Sequence, residues 1–218
     1  MNYCQFRNQT IKRMANVGGG GLPSMYQQVE WLKSNNTSSS NYGTNWLHID
    51  TGVSYFADFE IDCYKTENSG LVVAGCGIYS SSGEWGATIG RYSASEPYMT
   101  FWQSYAQSYR TNVLITTRGK YAWRNNAIYV NDTYVTTYTK PNSTRNFFLF
   151  GYTGQYQYGY SNIVMYSARL WDNNGVIIRD YIPCYRKSDN TPGMYDLVTS
   201  TFNPGTGTSG YFTVGNNV

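Results

Sequence analysis

Residues 179–208 read RDYIPCYRKSDNTPGMYDLVTSTFNPGTGT, and this stretch decides the fold. Together with the residues just before it, Gly175 to Cys184 form a short run rich in β-branched and aromatic side chains. Such a run suits a pleated and largely covered strand. Pro192-Gly193 then predicts a turn ahead of Met194-Tyr195-Asp196-Leu197-Val198, and a second turn is expected before Phe202. Strand, turn, strand and turn in about 30 residues is the punctuation of an all-β protein.

The beginning of the chain answers its end. Leu22-Pro23-Ser24-Met25-Tyr26-Gln27-Gln28-Val29-Glu30-Trp31-Leu32 is followed by Leu47-His48-Ile49-Asp50-Thr51-Gly52-Val53. The first block resembles an opening of the form LPxxYQxVEYI…YIDTG, and the segment from Arg179 resembles a closing form RDFIPCYRKSDGxxGMYDLV. Together they resemble the laminin-G/concanavalin A-like jelly-roll modules of bacteriophage tail, fibre and other structural proteins. The resemblance covers about residues 22 to 215. It implies one jelly-roll β-sandwich and a place in a particle; it names no ligand, because such modules serve many purposes.

Composition agrees with that fold. With 218 residues, of which 41% are hydrophobic, the chain can bury one good sandwich core. Charged residues are only 13%, so the surface relies on Ser, Asn, Thr, Gly and the 23 tyrosines. Surfaces of this kind make contacts well, since Tyr offers area at low entropic cost while Ser, Gly and Asn adapt their hydrogen bonds. The net charge of +3 comes from scattered residues whose densest groups are the pairs Lys12-Arg13 and Arg186-Lys187. A nucleic-acid reader needs a basic stripe, so no nucleic-acid partner is expected. The apolar runs fall far short of the roughly 20 residues that a membrane-spanning helix needs, so no membrane insertion is expected. Met1 to Val17 has no apolar h-region of a secretory signal. A virion protein fits these features, folding in a host cytosol and reaching the outside as part of a particle.

Residues 1–21 are expected to form an anchoring arm and hinge, and residues 22–218 the jelly roll. Gly18 to Gly21 disfavour regular structure and let the arm reorient. Within the arm, Tyr3, Phe6, Arg7, Ile11 and Arg13 are the candidate anchoring residues. The four cysteines, Cys4, Cys63, Cys76 and Cys184, match no zinc spacing and are expected as reduced thiols. A Cys63–Cys76 bridge would require their strands to be neighbours.

Between the two end blocks the strand signals follow one another. Phe59, Ile61 and Cys63 alternate with Asp58, Glu60 and Asp62, which predicts a strand with one buried face. Further strands are expected at residues 71–75, 87–92, 99–105, 113–117, 146–151 and 162–171. Ala127 to Val130 and Thr133 to Thr136 flank Asn131-Asp132, a two-residue hairpin turn in which Asp stands where such modules usually carry Gly. Tyr26 to Lys33 is the only helix candidate, and the resemblance favours a strand there. The expected core includes Phe59, Ile61, Ile128, Val130, Phe148, Phe150, Ile178 and Ile182.

Three constellations could carry function. Asp58, Glu60 and Asp62 put three carboxylates on one strand face, at a spacing that suits the paired carboxylates of a glycosidase. The stretch resembles the E-x-D-x-E strand of jelly-roll glucanases with its acid types exchanged; a solvated polar face and a calcium site are the other readings. Second, Trp85, Tyr92, Tyr98, Trp102, Tyr105 and Tyr109 cluster beside Gln103, Gln107 and Asn112. Sugar rings stack their C–H faces on aromatic planes while amides read hydroxyls, so Trp85, Trp102, Gln103, Tyr105 and Tyr109 are glycan-binding candidates. Third, the loop 151–160 adds Tyr156 and Tyr158 as contact residues or as cover for the sandwich edge. His48, the only histidine, lies in the strand of the opening block, and no nucleophile triad or phosphate loop can be assembled.

The expected protein is thus non-enzymatic, a virion structural protein present in several copies. Its arm would hold other virion proteins of capsid or tail, and its jelly roll would meet host-surface carbohydrate. No cofactor is required, calcium being the one ion the acidic strand could take. The alternative is a glycoside hydrolase acting on host polysaccharide through that strand.

Overall fold

The computed structural model describes residues 21–36, 47–67, 72–76, 86–90, 97–104, 107–141, 145–151, 162–207 and 210–218. Among them the chain runs through β1 (Tyr26–Gln28), β2 (Leu32–Asn36), β3 (Ile49–Asp50), β4 (Asp58–Lys65), β5 (Val72–Gly75) and β6 (Thr88–Gly90). It continues through β7 (Tyr98–Ser104), β8 (Gln107–Leu114), β9 (Gly119–Arg124), β10 (Ala127–Val130), β11 (Thr133–Thr137) and β12 (Phe148–Leu149). Five strands complete it: β13 (Ile163–Trp171), β14 (Ile177–Arg186), β15 (Thr191–Asp196), β16 (Thr201–Asn203) and β17 (Gly210–Val214). No helix occurs among the described residues, and the helix candidate at Tyr26 is strand.

The strands form two antiparallel sheets. The larger has eleven strands and follows the order β11-β10-β9-β4-β13-β14-β15-β16, with β1 paired to β14 and β2 paired to both β13 and β17. The smaller has six, in the order β3-β12-β5-β6-β7-β8. The chain is therefore an all-β sandwich of the jelly-roll kind. The anchoring residues Tyr3, Phe6, Arg7, Ile11 and Arg13 lie outside the described residues.

The core lies between the sheets and follows the alternation in β4. Phe59, Ile61 and Cys63 are fully buried. Phe59 meets Phe101 of β7 with ring centroids 6.3 Å apart, and Trp123 of β9 stands edge-on to Phe101 at 5.7 Å. These contacts join the two layers. At the rim, Tyr138 stacks on Trp123 at 5.2 Å, and the Trp123 indole donates to the Tyr138 carbonyl. Of the expected core, Ile128, Phe148 and Phe150 are buried, while Val130 and Ile178 pack against it half-buried. Ile182 is half-buried as well, whereas Tyr181 and Cys184 of the same strand are buried.

The turns explain how successive strands pair. Asn131 and Asp132 have φ of 50° and 63°, the paired left-handed geometry of the expected hairpin. Asn125 and Asn126, at 49° and 56°, make a second such turn between β9 and β10. Pro192-Gly193, by contrast, is not a turn. The reversal falls at residues 187–190, where Asn190 has φ 55°, and Gly193 pairs with Cys184 inside β15. A Cβ on Gly193 would lie 2.4 Å from the Asn203 carbonyl oxygen, so the glycine is there for close packing of β16. The strand expected at 113–117 is displaced: β8 ends at Leu114 and starts at Gln107.

Among the described residues, several of the outermost strands are short or irregular. β3 has two residues and β16 three. β11 carries an extra residue, Val135, where its pairing to β10 shifts register, and the β7–β8 pairing shifts register twice.

The opening and closing blocks of the sequence meet at Arg179. Its Nε donates to the Thr51 carbonyl at 3.0 Å and lies 3.5 Å from Oδ2 of Asp196. Asp196 is 1% exposed; its Oδ1 accepts from the amides of Asp180 and Val198, and its Oδ2 from the Thr199 hydroxyl. Thr51 turns its hydroxyl to the Phe147 carbonyl at 2.7 Å, and Asp50 caps the amide of Gly52, whose φ is 66°. His48 hydrogen-bonds Thr206 at 3.0 Å.

Cys63, Cys76 and Cys184 are buried free thiols. Cys63 is in the larger sheet and Cys76 follows β5 of the smaller, so the bridge between them does not form. Burial pushes both the Cys63 and Cys184 thiols up, the latter to about 12.

Candidate functional site

The face of the larger sheet turned away from the core is built by the same alternation that builds the core. In β4 it receives Asp58, Glu60 and Asp62, opposite Phe59, Ile61 and Cys63. Register then aligns one residue from each neighbouring strand with Glu60. Glu60 pairs with Ala122 of β9 on one side and Arg169 of β13 on the other. Ala122 pairs with Tyr129 of β10, which pairs with Tyr134 of β11. Arg169 pairs with Asp180 of β14. The result is one continuous row across six strands: Tyr134, Tyr129, Ala122, Glu60, Arg169, Asp180.

The charged half of the row is closed on itself. Glu60 is 4% exposed and lies between the Arg124 guanidinium, with which it forms an ion pair, and Arg169 Nη1 at 3.6 Å. Arg169 Nε donates to Asp180 Oδ1 at 2.9 Å. Burial pushes Asp180 above the ordinary carboxylate value, and Arg169 pulls it back. Asp58 is raised for the same reason, against the amide of Asn125, 2.9 Å from its Oδ1, and the charges of Arg124 and Lys140. Asp62 takes both Nε and Nη2 of Arg118, at 2.9 and 2.8 Å. That guanidinium lies 3.4 Å over the Tyr166 ring. Each of the three carboxylates of the acidic strand is therefore held by an arginine or a backbone amide. Among the described residues no group of three or more His, Cys, Asp or Glu is arranged to hold a metal.

The aromatic half is more open. Tyr134 is 54% exposed, and its ring meets that of Tyr129 edge-on at 5.9 Å. Arg124 lies between two rings, 5.9 Å from the Tyr129 centroid and 5.6 Å from that of Trp171. Trp171 itself pairs with Asp58 in the adjacent row. Between Tyr129 and Glu60 the row holds Ala122, which is buried, and the Arg124 guanidinium reaches from the Tyr129 ring to Glu60.

The glycan-binding candidates of the sequence fall elsewhere. Phe101 faces the core and Trp102 the opposite side of the smaller sheet, where it is buried, 6% exposed. Gln103 donates its side-chain amide to the Thr139 carbonyl at the sandwich rim. Tyr109 pairs with Phe101, packs against the core and meets Tyr138 at 6.1 Å. Gln103 and Tyr109 thus help close the edge between the sheets, and they are not gathered with Tyr129 and Tyr134 of β10 and β11. Trp85, Tyr105, Tyr156 and Tyr158 lie outside the described residues.

Sequence reasoning picked out the acidic strand and missed its partners. One signal was available: in a two-residue hairpin at Asn131-Asp132, Val130 faces Thr133 and Tyr129 faces Tyr134. Ala122, Arg124, Arg169 and Asp180 carry no local signal of sharing a surface.

Fold and site define an all-β sandwich of the jelly-roll class with an aromatic and ion-paired outer face. No protein-family model matches the chain, and no curated protein matches it.

Proposed function

We propose that this chain is a non-catalytic structural protein of a bacteriophage particle, held by its N-terminal arm to capsid or tail and displaying its jelly roll in several copies. The observation that carries the reading is the knot at Arg179. The two blocks that resemble the opening and closing of phage jelly-roll modules lie at opposite ends of the sequence, and Arg179 links them through Thr51 and the buried Asp196. Their distinctive charged and hydroxyl residues are spent on holding the fold, as expected of a module defined by architecture rather than chemistry. The pairing of Glu60, Asp62 and Asp180 with arginines supports the non-catalytic part. A glycosidase acid must reach a leaving group, and Glu60 sits beneath two guanidiniums.

Mass spectrometry of purified particles tests the proposal. The protein should be present in multiple copies, and a chain lacking residues 1–21 should fold yet fail to join the particle. Absence of the full chain from the particle refutes the virion role; incorporation of the truncated chain refutes the anchor.

A further inference from the structure

We propose that Asn174 is a spontaneous modification site, at which the folded protein slowly deamidates through a succinimide shared with Gly175, and that Asp172 sets the rate. The inference is independent of the role proposed above.

Asn174-Gly175 is the only Asn-Gly step in the sequence. It lies in the turn between β13 and β14, where both residues are exposed and a Cβ on Gly175 would meet nothing within 4 Å. With no side chain beside it, the Gly175 nitrogen is open to solvent and to the preceding side chain. The reaction needs water alone as co-reactant. The Gly175 nitrogen gives up its proton and attacks Cγ of Asn174. The N–Cγ bond forms, the Cγ–Nδ2 bond breaks, and Nδ2 leaves as ammonia with that proton, relayed through water. A water molecule then opens the ring at either carbonyl, leaving aspartate or isoaspartate.

The turn opposes the first step. The Gly175 amide donates to the Asp172 carbonyl at 3.1 Å, so the nucleophile is occupied. Asp172 Oδ1 accepts from the amides of Asn174 and Val176, both at 2.9 Å, and the Asp172 amide donates to the Val176 carbonyl at 2.9 Å. Four hydrogen bonds thus converge on one residue, and the nitrogen is released only when the turn opens, so the rate follows that local equilibrium. The products fit the turn poorly. Nδ2 of Asn174 lies 3.5 Å from Asp172 Oδ2, where an aspartate would set two carboxylates side by side. Isoaspartate would add a carbon to the main chain between two amides that both answer to Asp172. Modification therefore loosens the end of the β13–β14 hairpin, beside the Trp171–Ile177 pair.

Incubation of the full-length protein over weeks, at neutral and at mildly alkaline pH, tests this. Mass spectrometry of the tryptic peptide 170–179 follows the reaction, and isoaspartyl methyltransferase labelling separates the two products. Deamidation should appear at Asn174, run faster at the higher pH, and be slower by about tenfold or more than in a synthetic peptide of residues 170–179. Asp172→Ala, which removes the acceptor of two amides, should bring the protein close to the peptide rate. Asp172→Asn keeps an acceptor oxygen and should stay near wild type. Thermal melts show that each variant is folded, and the aged wild type should melt below the fresh protein. An unmodified Asn174 in protein whose matching peptide has converted overturns the site. Equal rates in protein and peptide overturn the restraint, as does an Asp172→Ala variant that reacts no faster than wild type; should that variant fail to fold, the peptide comparison still decides.

Discussion

Replacing Asp196 by alanine isolates the knot that ties the two ends of the sequence together. The carboxylate is buried, and truncation strips the acceptor from the amides of Asp180 and Val198, at 2.9 and 3.1 Å, and from the Thr199 hydroxyl at 2.6 Å. It also leaves Arg179 without its charge partner at 3.5 Å. A hydrogen bond to a charged group is worth about 1.5–3 kcal/mol, but these groups act as one unit and their values do not add. The appropriate comparison is a buried ion pair broken on one side, which costs about 3–5 kcal/mol. In a domain of this size each kcal/mol moves the melting temperature by about 2–4 °C, so Asp196→Ala should lower Tm by about 6–20 °C. Asp196→Asn keeps an oxygen for the two amides but loses the charge facing Arg179, and should fall roughly midway. Calorimetric unfolding of the three proteins at neutral pH provides the measurement. An alanine variant within about 1 kcal/mol of wild type would show that Arg179 and Asp196 are incidental neighbours, and the argument for a knot would fail.

Phe59→Ala should cost about 3–5 kcal/mol in denaturant unfolding, and Ile182→Ala clearly less, because Phe59 is fully buried between the sheets and Ile182 is not. Equal losses would contradict the assigned faces of β14. Gly193→Ala should destabilise strongly, since its Cβ would meet a backbone oxygen at 2.4 Å; a melting temperature unchanged from wild type would refute the close packing of β16. Asp132→Gly should raise stability by up to about 1 kcal/mol, as glycine is freer than aspartate at φ 63° and the lost Lys120 ion pair is a surface one. The Asp180 carboxyl is raised by burial, so the native state holds its proton more tightly than the unfolded chain does. Wild-type stability from this group therefore falls as pH rises through and above the ordinary aspartate value. The Tm of Asp180→Asn relative to wild type should climb from acid to neutral pH, and a pH-independent difference would refute the assignment.

How much of this was legible depends on how far each feature reaches along the chain. The alternation of Phe59, Ile61 and Cys63 and the Asn131-Asp132 turn are local, and sequence periodicity exposes them directly. The face of β14 was not legible in the same way. In Ile177 to Cys184 the adjacent charges Arg179 and Asp180 fall on opposite faces with apolar residues on both sides of them, and the register shifts where β14 pairs with the end of β13, so the strand's phase cannot be fixed from its own residues. Pro192-Gly193 carries the composition of a turn, yet Gly193 answers to a neighbour, Asn203, that only tertiary structure supplies. The row from Tyr134 to Asp180 is the extreme case. Each of its six residues comes from a different strand; only Tyr129 and Tyr134 share a local hairpin, and nothing nearby in sequence ties them to Glu60, Arg169 and Asp180, while the aromatic cluster that a window does contain faces both sides of β7 and β8.

The two-residue β3, the three-residue β16, the extra residue in β11 and the twofold register shift between β7 and β8 share a consequence for the multi-copy particle proposed above. A sheet margin that is long and flat invites any like margin to zip onto it, whatever the side chains say. These margins are clipped or kinked, which denies main-chain copolymerisation a straight run along them. Copies crowded on a shared scaffold would then meet through side chains alone, and the spacing between them could be set by the scaffold rather than by runaway growth of one copy upon the next.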